Sequence, residues 1–150
     1  MTTQLLKQMI LDQIATDSLN ININAMSDSL YPIFEQTLKE KTLLEDCCRQ
    51  WVILTLYCVA LEMVESYTEH RIVSKLPLNY FSIVKDKLTQ AKELVFLLEI
   101  SIEKRWSQTC RDQLLLNLDN LVCLMGARGF MLDYNIAKIW EAIYAECFKA

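Results

Sequence analysis

The chain has 150 residues, of which 53% are hydrophobic and 23% charged, and its formal net charge is -4 at pH 7. It contains no run of basic residues, which argues against the electrostatic footprint of a nucleic-acid-binding protein. Two glycines and two prolines are too few for the turns of an all-β fold. The composition therefore predicts long helices joined by short connections.

Cysteine usage and the N-terminal sequence point to the same compartment. Six cysteines stand at positions 47, 48, 58, 110, 123 and 147, and no two of them form a Cys-x-x-Cys pair. One histidine is too few for a mixed Cys/His zinc site. The first residues lack the continuous apolar segment of a signal peptide. We therefore expect a cytoplasmic protein with reduced thiols, no metal and no cofactor.

The first quarter of the chain is predicted to hold two helices and a loop. Apolar residues recur at helical spacing over residues 3–16, which indicates an amphipathic helix. Residues 17–28 are the most polar stretch and rich in asparagine, which favours turns, so they are predicted as the longest loop. Ser29 then caps the next helix, and Pro32 lies inside its first turn.

The sequence is organised around residues 51–61, Trp-Val-Ile-Leu-Thr-Leu-Tyr-Cys-Val-Ala-Leu, which carry no charge, glycine or proline. Such a run is too long for an ordinary strand and favours a helix buried on all sides. It is also shorter than the roughly 20 apolar residues of a membrane span. A capping box at residues 42–45 begins this helix, and Pro77 ends it. The central helix is thus predicted over residues 43–76.

Three more helices follow by the same periodicity. They are predicted over residues 80–105, in a segment that ends at Gly126, and after a cap at Asp133. The predicted fold is all-α, a single compact bundle of about six helices around the central apolar helix at residues 43–76. Residues 1–150 are predicted to form one helical domain.

The last predicted helix carries more apolar groups than one buried stripe needs. Because tryptophan and tyrosine are frequent anchors at interface centres, this surplus predicts a surface that a partner covers. Two other interpretations stay open: the loop before the helix plugs the end of the bundle, or the tryptophan completes the core of a monomer. The candidate partner-binding face comprises Phe130, Met131, Ile136, Trp140, Ile143 and Tyr144.

Acidic residues offer a second candidate site. Glu62 and Glu65 share one helical face, where a solvated surface is the simpler interpretation and a hard cation is the alternative. The segment at residues 118–125, Leu-Asp-Asn-Leu-Val-Cys-Leu-Met, followed by a glycine-containing turn, resembles the end of the all-α nucleotide pyrophosphohydrolases. That resemblance implies a magnesium site to which Glu62, Glu65 and Asp119 would contribute. Leu116 stands where that family has another glutamate.

The sequence holds no recognisable catalytic set, so it favours a non-catalytic protein without deciding the question. The first hypothesis is a helical protein–protein interaction module, of the adaptor, regulator or inhibitor type, that acts through an apolar helical face. One alternative is a magnesium-dependent all-α nucleotide pyrophosphohydrolase-like protein, or a degenerate form of one. The other is a structural subunit of a larger assembly. The expected partner is another protein or a second copy of the chain, with no nucleic acid and no membrane span.

Overall fold

The computed structural model describes residues 7–12, 21–35, 41–102, 104–126 and 135–147. Its elements confirm the predicted all-α bundle around a long central helix. The helices are α1 (residues 7–12), α2 (Ile23–Glu35), α3 (Lys41–His70), α4 (Ser82–Ile100), α5 (Gln108–Leu124) and α6 (Asn135–Cys147). Between α3 and α4 lie two short antiparallel strands, β1 (Ile72–Val73) and β2 (Leu76–Pro77), and a 3-10 turn, Leu78–Tyr80.

The centre of the bundle is α3, which contacts α2, α4, α5 and α6. Its middle is buried on nearly every side, as the uncharged run predicted. Polar groups inside that run are satisfied, because the Thr55 hydroxyl donates to the Trp51 carbonyl oxygen at 2.8 Å and the Tyr57 hydroxyl to that of Ala91 on α4 at 3.0 Å. The buried residues of the run are Val52, Ile53, Leu54, Thr55, Leu56, Tyr57, Val59, Ala60 and Leu61.

One helix in the described part of the chain, Leu44–His70, is long and apolar enough to cross a membrane by length and composition alone. Of its most apolar window, 72% is buried inside the protein. The central helix of a folded bundle meets the same criterion, because it too is apolar on all sides.

The C-terminal end of the central helix differs from the prediction of residues 43–76, since α3 ends at His70. Ser74 and Lys75 have φ angles of 52° and 70°, and two consecutive positive values are what a type I′ hairpin turn requires. The Leu78 N–H donates to the Arg71 carbonyl oxygen at 2.7 Å and closes the base of the hairpin. The sequence did not reveal it because Ser-Lys is not a typical pair for this turn.

The start of α2 also differs, because the predicted loop at residues 17–28 is helical from Ile23 onwards. The Asn22 side chain caps this helix by accepting a hydrogen bond from the Ala25 N–H at 3.0 Å. Pro32 consequently lies in the second half of α2 and not in its first turn. A helical stripe of α2, made of Ile23, Met26 and Leu30, is buried against α3.

One buried side chain fastens the connection between α4 and α5 to the central helix. Gln50 of α3 is 6% exposed, and its amide nitrogen donates to the carbonyl oxygens of Ile102 at 3.0 Å and Lys104 at 2.7 Å. Its amide oxygen accepts from the Trp106 N–H at 2.7 Å. A single glutamine thus satisfies three backbone groups of the connection. The next helix, α5, begins directly after a cap in which the Ser107 hydroxyl accepts from the Cys110 N–H at 3.2 Å.

Candidate functional site

The structure divides the predicted partner-binding face on α6. Ile136 and Ile143 are 1% and 0% exposed, so they belong to the core and offer no surface. Trp140 and Tyr144 are half-buried, with ring centroids 4.6 Å apart. The other two members, Phe130 and Met131, lie outside the described residues.

The two aromatic side chains of α6 meet Asp119, an acid singled out by the sequence for a different role. The Trp140 indole N–H donates to Asp119 Oδ1 at 2.9 Å. The Tyr144 hydroxyl donates to the same carboxylate, 2.7 Å from Oδ1 and 2.6 Å from Oδ2. Burial, together with this hydrogen bond, raises the pKa of the Tyr144 hydroxyl. Asp119 therefore ties α6 to α5 in this structure.

The three candidate metal ligands are engaged with separate protein partners. Glu62 forms an ion pair with Lys7 of α1, and Glu65 forms one with Lys92 of α4 at 3.4 Å. Within the described ranges, no three His, Cys, Asp or Glu side chains come together in a group that could hold a metal ion. The structure thus does not assemble Glu62, Glu65 and Asp119 into one site.

An exposed apolar surface lies at the C-terminal end of α4. Phe96, Leu97 and Ile100 are 67%, 47% and 82% exposed, and their spacing of three and four residues makes them neighbours on the helix surface. Leu94 and Leu98, from the same turns, are buried in the core. The end of α4 is therefore apolar on two faces, of which only one is covered. We call Phe96, Leu97 and Ile100 the α4 patch.

A polar cleft runs beside the N-terminal half of α3. Its first lobe, about 290 Å³, lies among α3, the α4–α5 connection, the start of α5 and the end of α6. Its second lobe, about 230 Å³, lies between α2 and α3. Glu45 and Arg49, four residues apart on α3, line both lobes. We call the two lobes together the α3 cleft.

Charge is distributed unevenly along the α3 cleft. Arg105 and Arg111 line the first lobe, where neither makes an ion pair with a described residue. Arg49 pairs with Glu146 of α6 at 2.7 Å, and the Glu146 side chain is only 9% exposed. In the second lobe, Asp28 likewise has no ion pair within the described ranges. In the first lobe the two unpaired arginines thus lie beside the unpaired carboxylates of Glu45 and Asp46, whereas both unpaired charges of the second lobe, Asp28 and Glu45, are negative.

Two buried groups line the second lobe. The Ser27 hydroxyl is buried and has no hydrogen-bond partner among the described residues. The Cys48 thiol is 1% exposed. Burial raises its pKa to about 11, with further contributions from the charges of Asp28 and Glu45. The charges of Asp28 and Glu45 therefore disfavour ionisation of a thiol in the wall of the second lobe.

Neither the α4 patch nor the α3 cleft was foreseen from the sequence. The cleft arises when α2, α3 and the start of α5 pack together, and that arrangement has no local sequence pattern. Comparison of the chain with protein-family models, with curated proteins and with solved structures found no match in any of the three.

Proposed function

We propose that this protein is a non-catalytic helical module that binds an amphipathic helix of a cytoplasmic partner protein through the α4 patch. The observation that carries the proposal is the exposure of Phe96, Leu97 and Ile100 side by side on a helix whose opposite face is already buried. Contiguous apolar surface of this kind is typical of interaction sites. Covering it contributes about 25 cal/mol for each Å² removed from water.

The shape and charge of the surroundings favour a helix with basic flanks as the occupant. The exposed ridge of one helix packs against the apolar stripe of another in the common helix-recognition mode. Glu93 and Glu99 are exposed, and each lies three residues from Phe96 along α4. Lysine or arginine beside the partner's apolar stripe would pair with these two carboxylates. Complementary charges of this kind raise the association rate more than they raise the affinity.

The small area of the α4 patch limits the affinity that we expect for the complex. A standard interface covers roughly 800 Å² on each partner, and three side chains supply only the centre of such a surface. Polar residues around the α4 patch must form the rim, as in most interfaces. We therefore expect a reversible complex, with Phe96 as the aromatic anchor.

The test is binding of a labelled, designed helix of about 18 residues with a leucine stripe flanked by lysines, measured by fluorescence anisotropy. We expect Phe96→Ser with Ile100→Ser to weaken binding about tenfold or more. The control is Ile83→Ser, because Ile83 is 66% exposed at the other end of the same helix. A peptide with glutamate flanks should bind more weakly than the lysine-flanked peptide at low salt.

Three results would overturn the proposal. Equal losses from the Ile83→Ser control and the double variant would show that binding is non-specific. Failure of the lysine-flanked helix to bind at all would remove the proposed occupant. Light scattering that shows a dimer in the unaltered protein and a monomer in Ile100→Ser would assign the patch to a second copy, and hence to a structural subunit.

A further inference from the structure

The β-hairpin lies at the end of the bundle where α3 ends and α4 begins, and its strands are apolar and exposed. We infer that it docks this end of the protein on a membrane surface that contains anionic lipid. The hairpin would lie among the lipid headgroups, with the basic side chains near it on the lipid phosphates. This surface is separate from the α4 patch and does not depend on the function proposed for that patch.

Neither face of the hairpin is covered by the rest of the protein. Successive residues of a strand point to opposite faces, and Val73 lies opposite Leu76 whereas Ile72 lies opposite Pro77. Ile72 on one face is 56% exposed, and Val73 and Leu76 on the other are each 38% exposed. Because an antiparallel sheet commonly packs one face on the core, this exposure of both faces is unusual. Whatever covers the hairpin must surround it.

An exposed aromatic residue follows the hairpin. Tyr80, in the 3-10 turn, is 58% exposed, and the Lys85 Nζ atom lies 5.4 Å from the centroid of its ring. Tyrosine is enriched at membrane–water interfaces, because its ring is apolar and its hydroxyl polar. The hydrogen bond from Leu78 to Arg71 closes the hairpin two residues before Tyr80. We call Ile72, Val73, Leu76 and Tyr80 the hairpin surface.

The charge near the hairpin surface is opposite in sign to that of the rest of the chain. Residues 65–92 hold five basic and three acidic side chains, a formal net charge of +2 (5 − 3), so the remaining residues have −6 (−4 − 2). Lys92 pairs with Glu65 at 3.4 Å. The other six charges make no ion pair with a described residue, and they are Arg71, Lys75, Lys85 and Lys87 against Glu69 and Asp86.

The acidic remainder of the chain does not prevent this docking. At 1.5 Å per residue, the 30 residues of α3 make a helix about 45 Å long, whereas the Debye length at physiological salt is about 8 Å. Acidic groups at the far end of the bundle are therefore screened from a membrane that touches the hairpin. An anionic surface attracts the basic end and sets the orientation of the protein.

The hairpin suits the headgroup region better than the hydrocarbon core of the bilayer. Ser74 and Lys75 form its tip, and a lysine there stays near the phosphates while the apolar side chains beside it reach the upper acyl chains. A two-stranded hairpin also has free N–H and C=O groups along its edges, which hydrocarbon cannot satisfy.

A membrane fits the hairpin surface better than a protein or a nucleic acid does. A protein partner would need a slot that receives both faces of the hairpin, whereas lipid surrounds an inserted group on all sides without one. A nucleic acid would pair with the basic residues but would leave Ile72 and Leu76 in water.

The experiment is flotation of the unaltered protein with phosphatidylcholine vesicles that contain about 30% phosphatidylserine, to supply a negative surface potential. We expect binding to these vesicles and little binding to pure phosphatidylcholine. Arg71→Gln with Lys75→Gln should lower the partition coefficient on the order of twentyfold, about fivefold for each charge. Ile72→Ser with Leu76→Ser should lower it about tenfold or more.

Two matched pairs of substitutions serve as controls. Lys104→Gln with Arg105→Gln removes the same number of exposed basic charges beyond the opposite end of α4. Phe96→Ser with Ile100→Ser removes two exposed apolar groups from the α4 patch. Both control pairs should bind vesicles as the unaltered protein does. Because all the substituted side chains are exposed, unchanged melting temperatures should show that each variant is folded.

Several results would overturn the inference. One is failure of the unaltered protein to float with the anionic vesicles, and another is equal binding to pure phosphatidylcholine. A third is a loss in either control pair as large as in the hairpin pairs. Tight binding of soluble polyglutamate that Ile72→Ser with Leu76→Ser leaves unchanged would instead assign the basic residues to an acidic protein. A dimer in light scattering that the same variant dissociates would assign the hairpin to a second copy.

Discussion

Replacing Gln50 with methionine tests whether one side chain holds the α4–α5 connection to the central helix. Methionine has a similar length and no branching at Cβ, so the change removes the amide with little loss of volume. It leaves the carbonyl oxygens of Ile102 and Lys104 and the N–H of Trp106 without the partner that each now has.

The magnitude follows from these three hydrogen bonds. Each contributes about 1 kcal/mol net, so their loss lowers the free energy of unfolding by about 3 kcal/mol. A buried backbone group left without any partner increases that cost. The total is a large part of a typical stability of about 5–15 kcal/mol. For a chain of this size it corresponds to a fall in melting temperature of roughly 6–12 °C.

The assay is urea unfolding, followed by circular dichroism, of the unaltered protein, Gln50→Met and the control Gln90→Met on the exposed face of α4. Gln50→Glu adds a pH dependence, because the introduced carboxylate can accept from Trp106 but cannot donate to the two carbonyl oxygens. Its pKa in the folded state is then raised above the unfolded value, so the variant regains stability as pH falls through the folded pKa. Equal stability of Gln50→Met and Gln90→Met would refute the role assigned to Gln50.

Three further predictions concern the core, the thiols and α6. Leu56→Ala, at a fully buried site of α3, should lower stability by about 2–5 kcal/mol; a melting temperature as high as that of the exposed-site control Leu116→Ala would contradict the central position of α3. A thiol reagent at about pH 8 should react first with exposed Cys123, because burial raises the pKa of Cys48, Cys58 and Cys147 to about 11. A fast reaction phase that persists in Cys123→Ser would contradict this. Trp140→Ala should lower the melting temperature without changing the mass in solution, because the ring packs against Tyr144 and donates to Asp119. A changed mass with an unchanged melting temperature would instead indicate that α6 is an interface.

The sequence predicted the core better than it predicted the ends of the helices. An uncharged apolar run is favourable where it is removed from water, so the burial of most of residues 51–61 agrees with their composition. Helix ends depend on weaker local preferences. The hairpin after His70 and the cap at Asn22 each involve a few residues and a small difference in free energy. Gly126 was predictable because its positive φ of 67° is a conformation that glycine adopts without strain.

The candidate sites were less predictable for a physical reason. Apolar spacing correctly predicted a helix at the position of α4, but it could not show that Phe96 and Ile100 would stay uncovered, because exposure depends on which helices pack nearby. Aromatic content singled out Trp140 as a surface anchor, whereas the structure gives its N–H a partner on α5. The charges of the α3 cleft come from distant parts of the chain, and a local pattern contains no information about their meeting.

The all-round apolar character of α3 has a consequence for synthesis. Of the helices that cover it, α4 to α6 follow it in the chain and extend to Cys147, so 147 − 70 = 77 residues must still be made after His70 is joined to the chain. At about 5–20 residues per second, the ribosome needs roughly 4–15 s for that stretch. During this interval the new helix is as apolar as a membrane anchor, and α2 covers only one of its sides. The cover of its other sides is encoded downstream, in segments that have not yet been translated.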